Sequence, residues 1–260
     1  MTGRTSSSRV IYEQPLTEQV RSFLRLEHLF RRARHAVSRQ SSWDSLCGAE
    51  TVLELLALLS RGDIRREVLK EADRIARALK DYSNHEGVDE NRLSGVLDRL
   101  RSMREHLGAG TVSPDRPLRE NDFLAMIQQR RSIPGGSCGF DLPRLHAWLE
   151  QPADVRKPDL EAWLEQLAPL ENGINELLKL IRGSASENSH VAVRGFFRHT
   201  PPSEPPCRLI RVTVADYGIF PEISGNRHRF TIRFLAIGDL AGQARPLSED
   251  VSFGLSLCQL

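Results

Sequence analysis

Cysteine is scarce in this 260-residue chain, and the four present, Cys47, Cys138, Cys207 and Cys258, are widely separated. There is no Cys-x-x-Cys pair and no Cys/His spacing suited to zinc, so neither a disulfide framework nor a metal site is indicated. Free thiols in a reducing cytoplasm are expected. Long apolar runs are missing too. The longest, Val52 to Leu59, contains Glu54 and falls far short of the roughly 20 residues that span a bilayer, so no membrane partner is expected. The first residues, with Arg4 and Arg9 around Ser6-Ser7-Ser8, do not read as a secretory signal. No Gly-x-x-x-x-Gly-Lys-Ser/Thr loop occurs and no Gly-x-Gly-x-x-Gly follows a strand, so nucleotide binding has no support and no cofactor is implied. A net charge of +2 argues against a general DNA-coating protein while leaving room for a local basic patch. Lysine is absent from the C-terminal region that reads as strands, where arginine supplies the cationic side chains.

That region is organised around His228-Arg229-Phe230-Thr231-Ile232-Arg233-Phe234. Side chains alternate along a strand, so Phe230, Ile232 and Phe234 face one way and Arg229, Thr231 and Arg233 the other. The two guanidiniums are spaced roughly 13 Å apart at about 3.3 Å per residue. Val191 to Arg198 reads as one strand with Val191, Val193 and Phe197 opposite Arg194 and Arg198. Leu209 to Val214 places Ile210, Val212 and Val214 opposite Leu209, Arg211 and Thr213, and Val251 to Leu257 also alternates. Such alternation predicts an antiparallel sheet with one buried and one wet face. Any single arginine on the wet face is most simply a solvated side chain. Together they suggest an anion-binding surface, because the guanidinium fork suits carboxylate and phosphate.

The rest of the chain is helical in pattern. Residues 1–8 are polar and aperiodic and are expected to be disordered. Residues 9–14 form a lone strand, which needs partners and is expected to dock on the C-terminal sheet. Residues 15–185 read as a domain of seven or eight helices and residues 186–260 as a β-domain, an α+β fold overall. The first helix starts at an N-cap Thr17, buries Phe23, Leu26, Phe30, Ala33 and Val37, and crowds Arg21, Arg25, Arg31, Arg32, Arg34 and Arg39 on its other faces. Ala49 to Ser60 forms an apolar helix closed by Arg61-Gly62, with Gly62 suited to a left-handed position and Asp63 capping the next helix. Residues 63 to 107 read as a helical hairpin, the second helix turning Leu93, Val96, Leu97, Leu100, Met103 and Leu107 inward. Ser132 to Phe140 is the most glycine-dense turn. Asp141 is expected to cap a short helix, Pro158-Asp159 to open another, and Leu170 to Arg182 to continue it. Thr200 to Pro206 and Pro221 to Asn226 read as loops.

Catalysis finds little support. Gly135-Gly136-Ser137-Cys138-Gly139 lacks the strand–turn–helix context of a nucleophile loop, and a Cys138 nucleophile would need a positioned base, for which His146 is the nearest candidate. Binding is the stronger reading. A basic sheet face, a basic first helix and the Arg61 corner would attract an acidic peptide or a nucleic acid. Nucleic-acid modules add exposed aromatics that stack on bases. Here most sheet aromatics fall on the apolar face, with Phe196 the exception, which favours the acidic peptide.

Several stretches resemble the ZapD family of bacterial cell division proteins. They are Tyr12-Glu13-Gln14-Pro15-Leu16 with Arg21-x-Phe23-Leu24-Arg25-Leu26-Glu27, and Ser132-Ile133-Pro134-Gly135-Gly136-x-Cys138-x-Phe140-Asp141-Leu142-Pro143 with Leu145-His146-x-Trp148-Leu149. Pro221-Glu222-Ile223-Ser224-Gly225 and Arg229-x-x-Ile232-Arg233-Phe234 complete the set. The resemblance runs from about residue 10 to about 255. It implies a non-enzymatic cytoplasmic homodimer, recruited to the mid-cell division ring, that binds the C-terminal tail of the tubulin-like protein FtsZ and bundles its filaments. It also implies a basic tail-binding pocket at Arg61, Arg229 and Arg233, with Arg25 and His146 as further candidates.

Overall fold

A computed structural model describes residues 9–82, 89–108, 114–226 and 228–260. The expectation for residues 1–8 lies outside these. In chain order the elements are β1 (Val10–Pro15), α1 (Glu18–Val37), α2 (Ser42–Leu59), α3 (Ile64–Tyr82), α4 (Glu90–Gly108), α5 (Arg116–Arg119), α6 (Asp122–Arg130), α7 (Pro143–Leu149) and α8 (Ala153–Gly183). The strands β2 (Asn188–Ala192), β3 (Phe196–His199), β4 (Leu209–Val214), β5 (Ile219–Asn226), β6 (Arg229–Ala236), β7 (Arg245–Pro246) and β8 (Val251–Cys258) follow. This is the α+β order expected. The chain divides into two compact units, Met1–Ser22 with Leu178–Leu260, and Phe23–Leu177.

In the helical unit, α1 buries Phe23, Leu26, Phe30, Ala33 and Val37 at helical spacing. Two of its arginines are tied to partners on other helices: Arg32 reaches Thr51 Oγ1 at 2.8 Å and Glu54 at 2.8 Å, and Arg34, still exposed, pairs with Glu171 at 2.7 Å. Helix α2 starts seven residues before the expected Ala49, because the Ser41 hydroxyl accepts from the Trp43 N–H at 3.1 Å and nucleates a polar first turn. Asp63 and Asp89 cap α3 and α4, accepting from Arg66 N at 2.9 Å and Arg92 N at 3.0 Å. On α4 only Leu100 and Leu107 are buried, whereas Leu93, Val96, Leu97 and Met103, all expected inward, are half-exposed. Gly173 of α8 lets Val68, Met103 and Leu107 approach closely, since a Cβ there would lie 3.1 Å from Met103 Sδ and from Val68 Cγ1.

Three local expectations fail here. Gly62 is not in a left-handed conformation, and α2 instead ends on an ordinary helical Ser60. Asp141 does not cap α7. Leu142 holds that position, with Pro143 setting the first turn, and Asp141 accepts from the Cys138 thiol at 3.5 Å. The two helices expected around Pro158 and Leu170 are one helix of 31 residues with Pro158 and Pro169 inside it. Each proline deletes one backbone bond, but the buried stripe Leu160, Leu164, Leu167, Leu170, Ile174 and Leu177 continues through Pro169 and holds the axis.

In the strand unit, β1 joins the C-terminal sheet as expected, pairing antiparallel with β4 from Val10↔Val214 to Pro15↔Leu209. A first sheet has the order β1-β4-β8-β2 and a second β3-β6-β5, with β7 on β6. Their facing sides share one core, in which Ile210, Val212, Val214, Phe253 and Leu255 of the first meet Phe230, Ile232 and Phe234 of the second. Val191 to Arg198 is not one strand. Arg194 (φ 51°) and Gly195 (φ 70°) make a tight turn closed by a 3.0 Å bond from Phe196 N–H to Val193 O, which passes the chain from β2 in the first sheet to β3 in the second. The turn reverses the alternation, so Ala192 is buried while Val191 and Val193 are exposed. Pro221 to Asn226 lies within β5 rather than a loop. As the edge of its sheet, β5 tolerates Pro221 without losing a central ladder bond.

Candidate functional site

Strand β6 carries the two arginines named first. Its even positions Phe230, Ile232 and Phe234 are buried in the shared core, which forces Arg229 and Arg233 to the opposite face, where both are exposed. The turn before β6 fixes where that face begins. Asn226 Oδ1 accepts from the backbone N–H of His228 at 2.9 Å and of Arg229 at 3.2 Å. Gly225 leaves no room for a side chain, since a Cβ there would sit 2.4 Å from Arg229 O. The backbone of Arg229 is thus anchored while its side chain is left outward.

Register identifies the neighbours. Glu222 and Phe196 stand directly opposite Arg233, Ser224 and Arg198 opposite Thr231, and Asn226 opposite Arg229. Among the described residues Arg198, Arg229 and Arg233 make no ion pair. On the first sheet the outcome differs. Arg211, expected on the wet face, is half-buried and bonded to Glu13 at 3.0 Å, and Arg182 from the end of α8 holds the same carboxylate at 2.8 Å. Arg9 pairs with Glu187, which also accepts from the Thr213 hydroxyl at 2.6 Å and whose carboxyl is held below the usual range chiefly by that bond. One arginine pattern in sequence therefore separates into a neutralised set on the first sheet and an unpaired set on the second. Arg194 belongs to neither, since it sits in the tight turn.

The remaining candidates belong to the helical unit and stand on separate elements. Arg61 is exposed at the corner between α2 and α3 and has no ion pair among the described residues. Beside it, a cleft of about 420 Å³ is lined by Ser60, Asp63, Arg65, Asp115, Arg116 and Arg119. Arg25 is exposed on α1 and likewise unpaired. His146, the nearest candidate base for Cys138 in sequence, is exposed on α7 with its Nδ1 4.0 Å from Glu150. The Cys138 thiol bonds to Asp141 instead, so the two residues of the catalytic alternative form no hydrogen-bonded pair. Arg198 and Glu222 were not singled out in sequence as binding residues. Pairing of 196–199 with 230–233 was the signal that could have placed Arg198 beside Arg229 and Arg233.

Fold and face together define a two-unit α+β protein with an unpaired basic surface on its second sheet. The family model of ZapD, described as a cell division protein, matches residues 24–233. The chain is 38% identical to the cell division protein ZapD of Methylococcus capsulatus, covering 97% of this chain and 99% of that protein. It is 36% identical to the cell division protein ZapD of Photobacterium profundum, with 95% and 98% covered, and 33% identical to that of Coxiella burnetii, with 98% and 99% covered. The chain belongs to the ZapD family of cell division proteins, and its role lies in cell division. Among the described residues no helix is long and apolar enough to cross a membrane.

Proposed function

We propose that this protein is a non-enzymatic, cytoplasmic division adaptor that binds the acidic C-terminal tail of FtsZ and, as a homodimer, cross-links FtsZ filaments at the mid-cell division ring. The observation that carries the reading is the pair of exposed guanidiniums on β6, Arg229 and Arg233, without carboxylate partners among the described residues. In this reading both contact tail carboxylates, while Arg61, Arg25 and His146 of the helical unit are further candidates that rest on the family resemblance alone. Exposed ion pairs contribute only about 0.2–1 kcal/mol each, so single-site binding is weak. Two tails engaged by one dimer on a multivalent polymer offset that weakness through avidity.

The test is a titration of labelled FtsZ C-terminal tail peptide into wild type and an Arg229→Ala/Arg233→Ala variant at two salt concentrations, with circular dichroism as a control for folding. Saturable binding to wild type that weakens with salt and is lost in the folded variant supports the adaptor. A protein that ignores the peptide but holds generic oligonucleotides would be a nucleic-acid module instead.

A further inference from the structure

The face that holds Arg229 and Arg233 is larger than those two residues. Arg198 of β3 pairs directly with Thr231, the residue midway between them. Directly paired residues on antiparallel strands share a face, with diagonal neighbours about 7–8 Å apart, so Arg198 is a diagonal neighbour of both arginines. All three are exposed and unpaired among the described residues. Three like charges this close repel one another, and an arriving carboxylate relieves the repulsion of all three.

The surroundings narrow the ligand further. Phe196 lies opposite Arg233 and is 40% exposed, and Val193, bridged to Phe196 across the tight turn, is 62% exposed. They form an apolar step at one end of the guanidinium cluster. Glu222 is opposite Arg233 from the other side, exposed and without an ion pair among the described residues. It opposes an anion at that edge. Charge therefore favours a carboxylate-bearing segment lying toward β3, where an apolar side chain of the same segment meets Phe196.

We propose that Arg198 is a third binding residue of this face, that Phe196 and Val193 supply its apolar contact, and that Glu222 limits its affinity, the ligand being an acidic peptide with an apolar residue beside its carboxylates. This rests on the reading of the face as a peptide site. The probe is the labelled FtsZ C-terminal tail peptide, followed by fluorescence anisotropy with the full chain at low salt and circular dichroism of each variant. Arg198→Ala weakens binding about 1.4- to fivefold, as expected of one exposed ion pair, and Arg198→Glu weakens it further. Phe196→Ser also weakens it, and Glu222→Gln tightens it. Wild-type affinity in folded Arg198→Ala and Arg198→Glu, with binding lost in Arg229→Ala/Arg233→Ala, overturns the third residue and leaves the adaptor reading intact. No binding of the peptide by wild type removes the adaptor reading itself, and this inference with it. Tighter binding of a single-stranded oligonucleotide than of the peptide, with the same dependence on Arg198, overturns the peptide assignment.

Discussion

Gly195 positions β3, and with it Phe196 and Arg198, so its replacement tests the turn on which the arginine face depends. Its φ of +70° lies where a Cβ is unfavourable, and a Cβ built there would sit 2.6 Å from the backbone oxygen of Leu247. The conformational part of a Gly195→Ala change is about 1–2 kcal/mol. The contact adds to this, because the obstacle is main chain and cannot rotate away as a side chain can. A displacement of that kind costs about 1–3 kcal/mol more. Gly238 in the same unit isolates the first part, since its φ is +59° and nothing lies within 4 Å of a built Cβ. Urea unfolding followed by circular dichroism should give Gly238→Ala a loss of about 1–2 kcal/mol and Gly195→Ala a loss of about 2–5 kcal/mol. Equal losses would refute the steric account of the turn. Folded Gly195→Ala protein should also bind the acidic peptide less well than Gly238→Ala.

Other perturbations separate the two sets of arginines and the titratable groups. Glu13→Ala leaves the half-buried Arg182 and Arg211 without their shared carboxylate and should cost about 2–3 kcal/mol in chemical denaturation. Arg194→Asn, at φ 51° in a position where asparagine is better tolerated, should raise the unfolding midpoint slightly. His199 is held below the usual histidine range, first by burial and then by His190. The unfolded chain therefore takes up this proton before the folded chain does. Stability should fall as pH drops below about 6.5 toward the folded pKa, then level off in this contribution, with a smaller slope in a His199→Gln variant. Glu187 acts in the same direction in a lower window. Its depressed pKa stabilises the fold above about 4.5, and that contribution is lost as pH falls through the folded value, which Thr213→Val should diminish.

Periodicity carried most of the fold because burial acts on it directly. The stripe of α1, the caps Thr17 and Asp63, and the pairing of β1 with the C-terminal strands were legible in residues alone. What periodicity could not show was where the backbone departs from its usual wells. Arg194-Gly195 reads as strand because arginine seldom adopts positive φ, yet it is a turn that inverts the faces on either side of it. Pro221 reads as a loop residue until β5 is known to be an edge. In the same way the arginine-rich strands look uniform in sequence. Only the pairing of Glu13 with Arg211 and Arg182, and of Thr231 with Arg198, separates structural arginines from those free to meet a ligand.

The central claim is that the unpaired guanidiniums of the second sheet receive an acidic tail. Its most direct measurement is the affinity of the FtsZ C-terminal tail peptide for wild type and for folded Arg229→Ala/Arg233→Ala protein at low salt. The account predicts saturable binding by wild type and its loss in the variant. Equal affinity for both proteins would contradict it and move the site toward Arg25 and Arg61.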